Sequence, residues 1–244
     1  MRIVVTLTTI PTREDSVVKS IRSIQEGTVK PDVIYVNLPN WYPKFNRGPD
    51  PSLEATLKDL GVIVTRCEDY GSLTKIVPTL RIETDPSTLV VILDDDVTYQ
   101  PRVIEGLVNG YMEHKCAVCY SSITYPETTR RHNIPCDFLL VQGHGQPAEI
   151  MECSFGVLIP RGAFDHFPTI EPLSETSDKN FYFSDDYVLS KFLDSQQIPK
   201  KVACYSWVGR QGDDWTTIWK LIDGSQTHSL SREGNFDRYK RLNI

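Results

Sequence analysis

Leu89-Val90-Val91-Ile92-Leu93-Asp94-Asp95-Asp96-Val97-Thr98-Tyr99 decides how the chain is read, because five apolar residues run straight into three carboxylates. An unbroken apolar run of this length suits a strand buried on both faces of a parallel sheet. Adjacent carboxylates repel one another, so a fold that sets them at a strand's carboxyl end needs a compensating cation. Mg2+ or Mn2+ takes oxygen ligands and keeps part of its shell for substrate phosphates. In open α/β sheets that strand end is also where ligands bind. The plainer reading is a solvated acidic turn ahead of the helix that starts at Pro101.

Around this stretch, strand and helix signals alternate through the first half of the chain. Residues 2–8 read as a buried strand and 14–25 as a helix, with Val17, Val18, Ile21 and Ile24 at helical spacing. Gly27 and Pro31 close that helix. Strands follow at 33–38 and 62–64, separated by a Pro/Asn/Gly-rich loop (39–51) and a short helix (52–60). A helix over 73–81 leads to the strand at 89–93, and Pro101 opens a helix that runs to 113. The second half is less regular, with strands at 117–120, 138–141, 154–159 and 201–205, a helix over 185–193 and a polar tail. No repeat, low-complexity tract or interdomain linker interrupts it. The expectation is a single α/β domain over 1–244, with a nucleotide-type half at 1–120 and a more variable half at 121–244.

Composition agrees with a packed domain. Of 244 residues, 40% are hydrophobic and 24% charged, which supplies a sizeable core and excludes disorder and coiled coil. Lys and Arg number 26 against 32 Asp and Glu, a formal charge of −6, so no nucleic-acid partner is expected. No apolar stretch approaches the roughly 18 residues that span a bilayer, and Ile3–Leu7, stopped by Pro11, is too short for a signal-peptide core. Cys67, Cys116, Cys119, Cys136, Cys153 and Cys204 are scattered, which points to reduced buried thiols and a cytoplasmic location. His114-x-Cys116-x-x-Cys119 lacks a second cysteine pair at zinc spacing. With no P-loop, no Gly-x-Gly-x-x-Gly after the first strand and no Gly-x-Ser-x-Gly elbow, ATPase, dinucleotide and α/β-hydrolase readings have no support.

Two enzyme classes place Asp-x-Asp after such a strand. A Mg-dependent phosphatase of the haloacid-dehalogenase type uses Asp-x-Asp-x-Thr, which Asp94–Thr98 matches, with Asp94 as nucleophile. Ser121-Ser122, Lys179 and Asp185-Asp186 are available as its partners. Its nucleophile normally sits on the first core strand, however, which leaves the segment before Asp94 without a role. A nucleotide-sugar-dependent glycosyltransferase uses all of it. On Thr8-Thr9-Ile10-Pro11-Thr12-Arg13, Asp69-Tyr70-Gly71-Ser72-Leu73-Thr74-Lys75 and Leu93–Tyr99, the chain resembles glycosyltransferases of the GT-A fold, especially small viral (chlorella-virus-type) and bacterial ones. A weaker match is Ser184-Asp185-Asp186-Tyr187-Val188-Leu189. The resemblance implies a mainly parallel central sheet flanked by helices. It also implies transfer of a sugar from a nucleotide diphosphate sugar, UDP-sugar first, to a hydroxyl of a glycan or other acceptor, with inversion and with Mn2+ or Mg2+ as cofactor.

Carried over residue by residue, the resemblance implies a nucleotide-sugar site of Thr9, Arg13, Asp69, Tyr70, Lys75, Asp94 and Asp95. Arg13 would pair with a phosphate or stack on the base, Asp69 would accept from base or ribose, and Lys75 would reach a phosphate. The alternative for Arg13 and Lys75 is an exposed place at ordinary helix starts. Asp96 is the expected metal ligand, with Asp94 shared between ribose and metal and His228 of the tail as a further ligand, since manganese accepts imidazole. Asp185 and Asp186 open a helix, where carboxylates also suit the dipole. The resemblance makes them the catalytic pair, with Asp186 the general base toward the acceptor. Gly143–Gln146 and Glu152–Gly156 are expected to border sugar and acceptor, and Trp207, Trp215 and Trp219 to stack on sugar faces, loop, core strand and sheet packing being the alternatives.

Overall fold

The computed structural model describes residues 1–124, 139–141, 143–174, 184–203 and 219–221. Its centre is a sheet of seven strands. Strands β1 (Ile3–Thr8), β2 (Val33–Pro39), β3 (Ile63–Cys67) and β4 (Leu89–Ile92) run parallel, with β1 between β2 and β4. On the other side of β4 lie β10 (Val157–Pro160), antiparallel to both its neighbours, then β6 (Ala117–Cys119) and the edge strand β11 (Lys200–Val202). The remaining strands are β5 (Val97–Tyr99), β7 (Ser122–Thr124), β8 (Leu139–Val141), β9 (Ile150–Met151) and β12 (Trp219–Leu221). They form a β5–β12 pair and a small β8-β7-β9 sheet.

Alternation along the strands sorts the core into two layers. Val5, Leu7, Val91 and Leu93 face helices α1 (Glu14–Gln25) and α4 (Val103–His114), meeting Val17, Ile21, Ile24 and Leu107. Val4, Val90 and Ile92 face the opposite way, toward Leu73, Ile76 and the helix α5 (Asp185–Ser195), through Val188, Leu189 and Phe192. Every residue of β4 is fully buried. At about 1.5–3 kcal/mol for each large aliphatic side chain removed from water, this double-sided strand is the best-anchored element near the acidic run.

Several boundaries differ from the sequence reading for identifiable reasons. The helix expected over 73–81 is a 3-10 turn, Gly71–Lys75, followed by α3 (Val77–Ile82); Pro78 falls in the first turn of α3, where its missing N–H costs nothing. The strand expected at 154–159 begins at Val157, because Cys153–Phe155 forms a 3-10 turn ending at Gly156 with φ +102°. Helix α2 (Leu53–Asp59) sits inside the expected 52–60, and β3 runs on to Cys67 because Arg66 and Cys67 pair with Leu38 and Pro39. Strands β5, β7, β9 and β12 are unforeseen; β5 and β12 pair with each other although they lie far apart along the chain. Cys116, Cys119 and Cys153 are free and buried, Cys67 is free and half-buried, and Cys136 and Cys204 lie outside the described residues. Among the described residues no helix is long and apolar enough to cross a membrane.

Candidate functional site

The acidic run leaves the carboxyl end of β4, and its turn is pinned on both sides. The Leu93 N–H donates to the Thr6 carbonyl at 3.3 Å, and the Asp94 N–H donates to the Tyr99 hydroxyl at 2.7 Å. Tyr99, at the end of β5, in turn donates to the Ser154 carbonyl at 3.3 Å. The short β5 strand thus returns the chain under the three carboxylates and fixes their backbone.

The cations that balance them come from the protein itself. Arg13 stands just ahead of α1, and its guanidinium forks onto Asp95 Oδ1 and Asp96 Oδ2, both at 3.1 Å. Burial works against the charge on Arg13, but Asp95 and Asp96 outweigh it and raise its pKa. The Lys75 ammonium bonds Asp94 Oδ1 and, at 2.8 Å, Asp185 Oδ2. Its pKa also stands well above the ordinary lysine value, burial being overcome by Asp185 and Asp94. One lysine therefore ties the strand-end carboxylates to the start of α5. Of the two alternatives the sequence left open for Arg13 and Lys75, exposed placement does not occur: their side chains are 16% and 8% exposed.

Lys75 is aimed by a polar network inside the sheet layer. The Lys75 carbonyl accepts from the Thr6 hydroxyl and from Asn37 Nδ2, the latter at 3.1 Å. Asn37 also donates to Thr79 Oγ1 at 2.9 Å, and Thr79 and Thr6 share a hydrogen bond of 2.7 Å. The buried donors of this network are satisfied within it, which fixes the 3-10 turn, while Asn37 Oδ1 has no partner among the described residues. The sequence reading missed all three, although a signal was there: Thr6 and Asn37 interrupt otherwise apolar strands at positions that face the same side.

Carboxylate protonation follows burial. Asp95 is pushed up to about 6, chiefly by burial, with Arg13 and the Thr9 hydroxyl pulling the other way and Asp96 and Asp94 adding to the rise. Asp96 is raised by burial and then by Asp94. Asp186 stands well above the ordinary carboxylate range through burial and the neighbouring Asp185, while its Oδ1 accepts the Cys153 N–H at 2.8 Å. The Ser184 hydroxyl caps this helix by accepting the Tyr187 N–H.

The structure therefore brings together Arg13, Lys75, Asp94, Asp95, Asp96 and Asp185, with Asp186 beside them on α5. Thr9 is present but buried behind Asp95, and its carbonyl accepts from Tyr42 at 3.0 Å. Asp69 closes its own turn: its Oδ1 accepts the Gly71 N–H at 2.8 Å, with Gly71 at φ +63°, and burial raises its pKa. Tyr70 is committed to the core, its hydroxyl accepting from Arg81 at 3.0 Å with the guanidinium carbon 5.3 Å from the ring centre. Ser121 and Ser122, the partners a phosphatase would need, are fully buried, and Ser121 donates to Glu152 at 2.6 Å. His228, Lys179, Trp207 and Trp215 lie outside the described residues, and Trp219 is described only as backbone in β12.

The residues present fit a hard divalent cation. Among the described residues Asp94, Asp95, Asp96, Asp185 and Asp186 face two cations, Arg13 and Lys75, and the burial-raised carboxylates register that surplus of negative charge. The donors are carboxylate oxygens, the kind Mg2+ and Mn2+ take, and a pair such as Asp94 and Asp96 leaves most of an octahedral shell to phosphate and water.

An α/β sheet with a buried acidic turn at the switch between parallel and antiparallel strands defines a nucleotide-sugar-transferase-like fold of the GT-A type. Glucosyl-3-phosphoglycerate synthase from Mycobacterium tuberculosis is a solved example. Its complex with Mn2+, UDP and glucosyl-3-phosphoglycerate is 16% identical, covers 82% of this chain and 68% of its own, and superposes with a TM-score of 0.52. Its complex with Mn2+, UDP-glucose and glycerol 3-phosphate gives 17%, 82%, 69% and 0.53. No family model matches the chain, and no curated protein matches it.

Proposed function

We propose that the chain is a metal-dependent glycosyltransferase that moves a sugar from a nucleotide diphosphate sugar, UDP-linked first, to an acceptor hydroxyl with inversion. The observation that carries this reading is the joining, through Lys75, of the strand-end carboxylates to Asp185 at the start of α5. Donor-holding and proton-handling groups then lie side by side. The solved relatives bind Mn2+, UDP-glucose and a phosphorylated acceptor on the same fold, which supports the donor class. On this reading residues 1–120 form the donor half and 121–244 the acceptor half of one domain.

Arg13 and Lys75 hold the site closed by pairing with its own carboxylates. An incoming diphosphate competes for the same N–H donors, so part of each ion pair is exchanged for a phosphate contact. Asp94 and Asp96 would hold Mn2+ or Mg2+, which when bound supplies positive charge to a departing diphosphate. Asp69 and Thr9 act from behind, by fixing the turn that carries Lys75 and the buried Asp95. Asp186 takes the proton of the acceptor hydroxyl. A carboxylate whose conjugate acid is favoured by burial is a stronger base than an exposed one. Asp185, held by Lys75, sets the start of the helix on which Asp186 sits.

The test is UDP release from UDP-sugars with Mn2+ and a panel of sugar and phosphorylated-hydroxyl acceptors. Acceptor-stimulated release that is lost in Asp186→Asn supports the reading. Phosphate release from simple phosphomonoesters, abolished by Asp94→Asn and with no UDP release, overturns it.

A further inference from the structure

We propose that Glu113, His114 and His144 form a second metal site, for a divalent transition ion of the zinc class, at the outer edge of the sheet. Glu113 and His114 end α4, and His144 lies in the loop whose next residues, 145–148, run along the edge strand β11. β4, which leads to the acidic run, is three strands further in, about 14 Å at ordinary strand spacing. The two sites are therefore independent.

The three side chains offer two imidazole nitrogens and a carboxylate oxygen within 4.8 Å of one another. His144 Nε2 is 3.0 Å from Glu113 Oε1, and His114 Nε2 is 4.0 Å from the same oxygen. Ligand atoms on one tetrahedral zinc, each about 2.0–2.1 Å from the ion, stand roughly 3.3 Å apart, so the group needs only a small contraction. The two that would move can do so, Glu113 and His144 being 47% and 38% exposed.

The second observation is His114 itself. Its side chain is 10% exposed, and its Nε2 is buried with no hydrogen-bond partner among the described residues, facing the other two ligands. A buried nitrogen left unpaired is costly, and an ion would satisfy it. Burial, with Lys201 and His144 and against the pull of Glu113, lowers its pKa, which favours the neutral ring that binds metals. Its backbone is fixed, because Lys115 immediately after it ends α4 in the left-handed conformation, φ +54°. Gly145 takes φ +71° and donates to the Val202 carbonyl at 2.9 Å, which sets His144 against the helix end. Two nitrogens and one carboxylate are the donor set of three-ligand zinc sites that keep one position for water, whereas Mg2+ prefers oxygen alone.

The experiment uses the full chain, stripped with chelator and titrated with Zn2+ against a chromogenic chelator, with a parallel Co2+ titration followed by visible absorption. One equivalent of Zn2+ is expected to bind in the Asp96→Asn protein as in wild type, and Co2+ to give the intense bands of a four-coordinate site. His144→Ala and Glu113→Gln, both at exposed side chains, should weaken that equivalent by more than about a hundredfold, the upper range for loss of a mere outer-shell partner. Zinc affinity unchanged in both variants overturns the proposal, as does zinc uptake that disappears only with Asp96→Asn or no uptake at all.

Discussion

Replacing Lys75 with Met isolates the electrostatic lock at the centre of the site. Methionine keeps a similar apolar stem and removes only the ammonium, leaving Asp94 and Asp185 without the cation that joins them. The side chains involved are 8%, 21% and 10% exposed, so solvent screens little of the change. Removing one partner of a buried ion pair costs about 3–5 kcal/mol, because the remaining charges stay desolvated. For a chain of this size that lowers the melting temperature by about 6–20 °C. The assay is urea unfolding of wild type, Lys75→Met, Asp185→Asn and the double variant. The double variant should lose less than the sum of the singles, by about 0.5–3 kcal/mol, since the second change removes one of the orphaned charges. A Lys75→Met loss below about 1 kcal/mol, or strict additivity, would refute the lock.

Stability should also report on the buried acid Asp95. Its pKa is about 6 when folded against an ordinary 3.8, so the folded state binds more protons between those values. The contribution is whole below the lower value and is lost as pH rises through the upper one, by about 3 kcal/mol. Asp95→Asn should flatten that fall, seen as the difference between wild-type and variant unfolding curves from pH 4 to 7; parallel curves contradict it. In transfer assays Asp186→Asn should lower kcat by about 10²–10⁴ while leaving UDP affinity in place. The acid limb of the wild-type pH profile should lie above the ordinary aspartate range, and a limb inside that range counts against Asp186 as base. Gly156→Ala should cost about 1–3 kcal/mol, because φ +102° is unfavourable to any Cβ and the new methyl would lie 3.2 Å from Leu93 Cδ2. A neutral effect in thermal unfolding would show that the turn after Phe155 can relax.

The parts of this fold written in local pattern were legible. The apolar run at 89–93 and the helical spacing of Val17, Ile21 and Ile24 reflect burial, which acts residue by residue, and both elements form where expected. The candidate site was half legible. Arg13, Lys75 and Asp94–Asp96 are named by charge at the ends of elements, and they meet in space. The sequence suggested an external cation for the acidic run, yet its first partners are the protein's own Arg13 and Lys75. Which carboxylate each takes depends on how β1, α1 and the 3-10 turn pack, and no local pattern encodes that. Tyr99 was invisible as an anchor because its strand pairs with residues 219–221, more than a hundred positions away. Thr6, Asn37 and Thr79 matter only as a set drawn from three elements. The contact between the His114 and His144 rings likewise joins a helix end to a distant loop, which no local spacing encodes.

The central claim is that the acidic run, with its two internal cations, is a metal-assisted nucleoside-diphosphate site. Calorimetric titration with UDP in Mn2+ and in EDTA, on wild type and Asp96→Asn, tests it most directly. The account predicts UDP binding that requires Mn2+ and is lost in Asp96→Asn, with the Zn2+ equivalent at His144 untouched. UDP binding that is equal in EDTA, or identical in the two proteins, or absent with Mn2+ would contradict it.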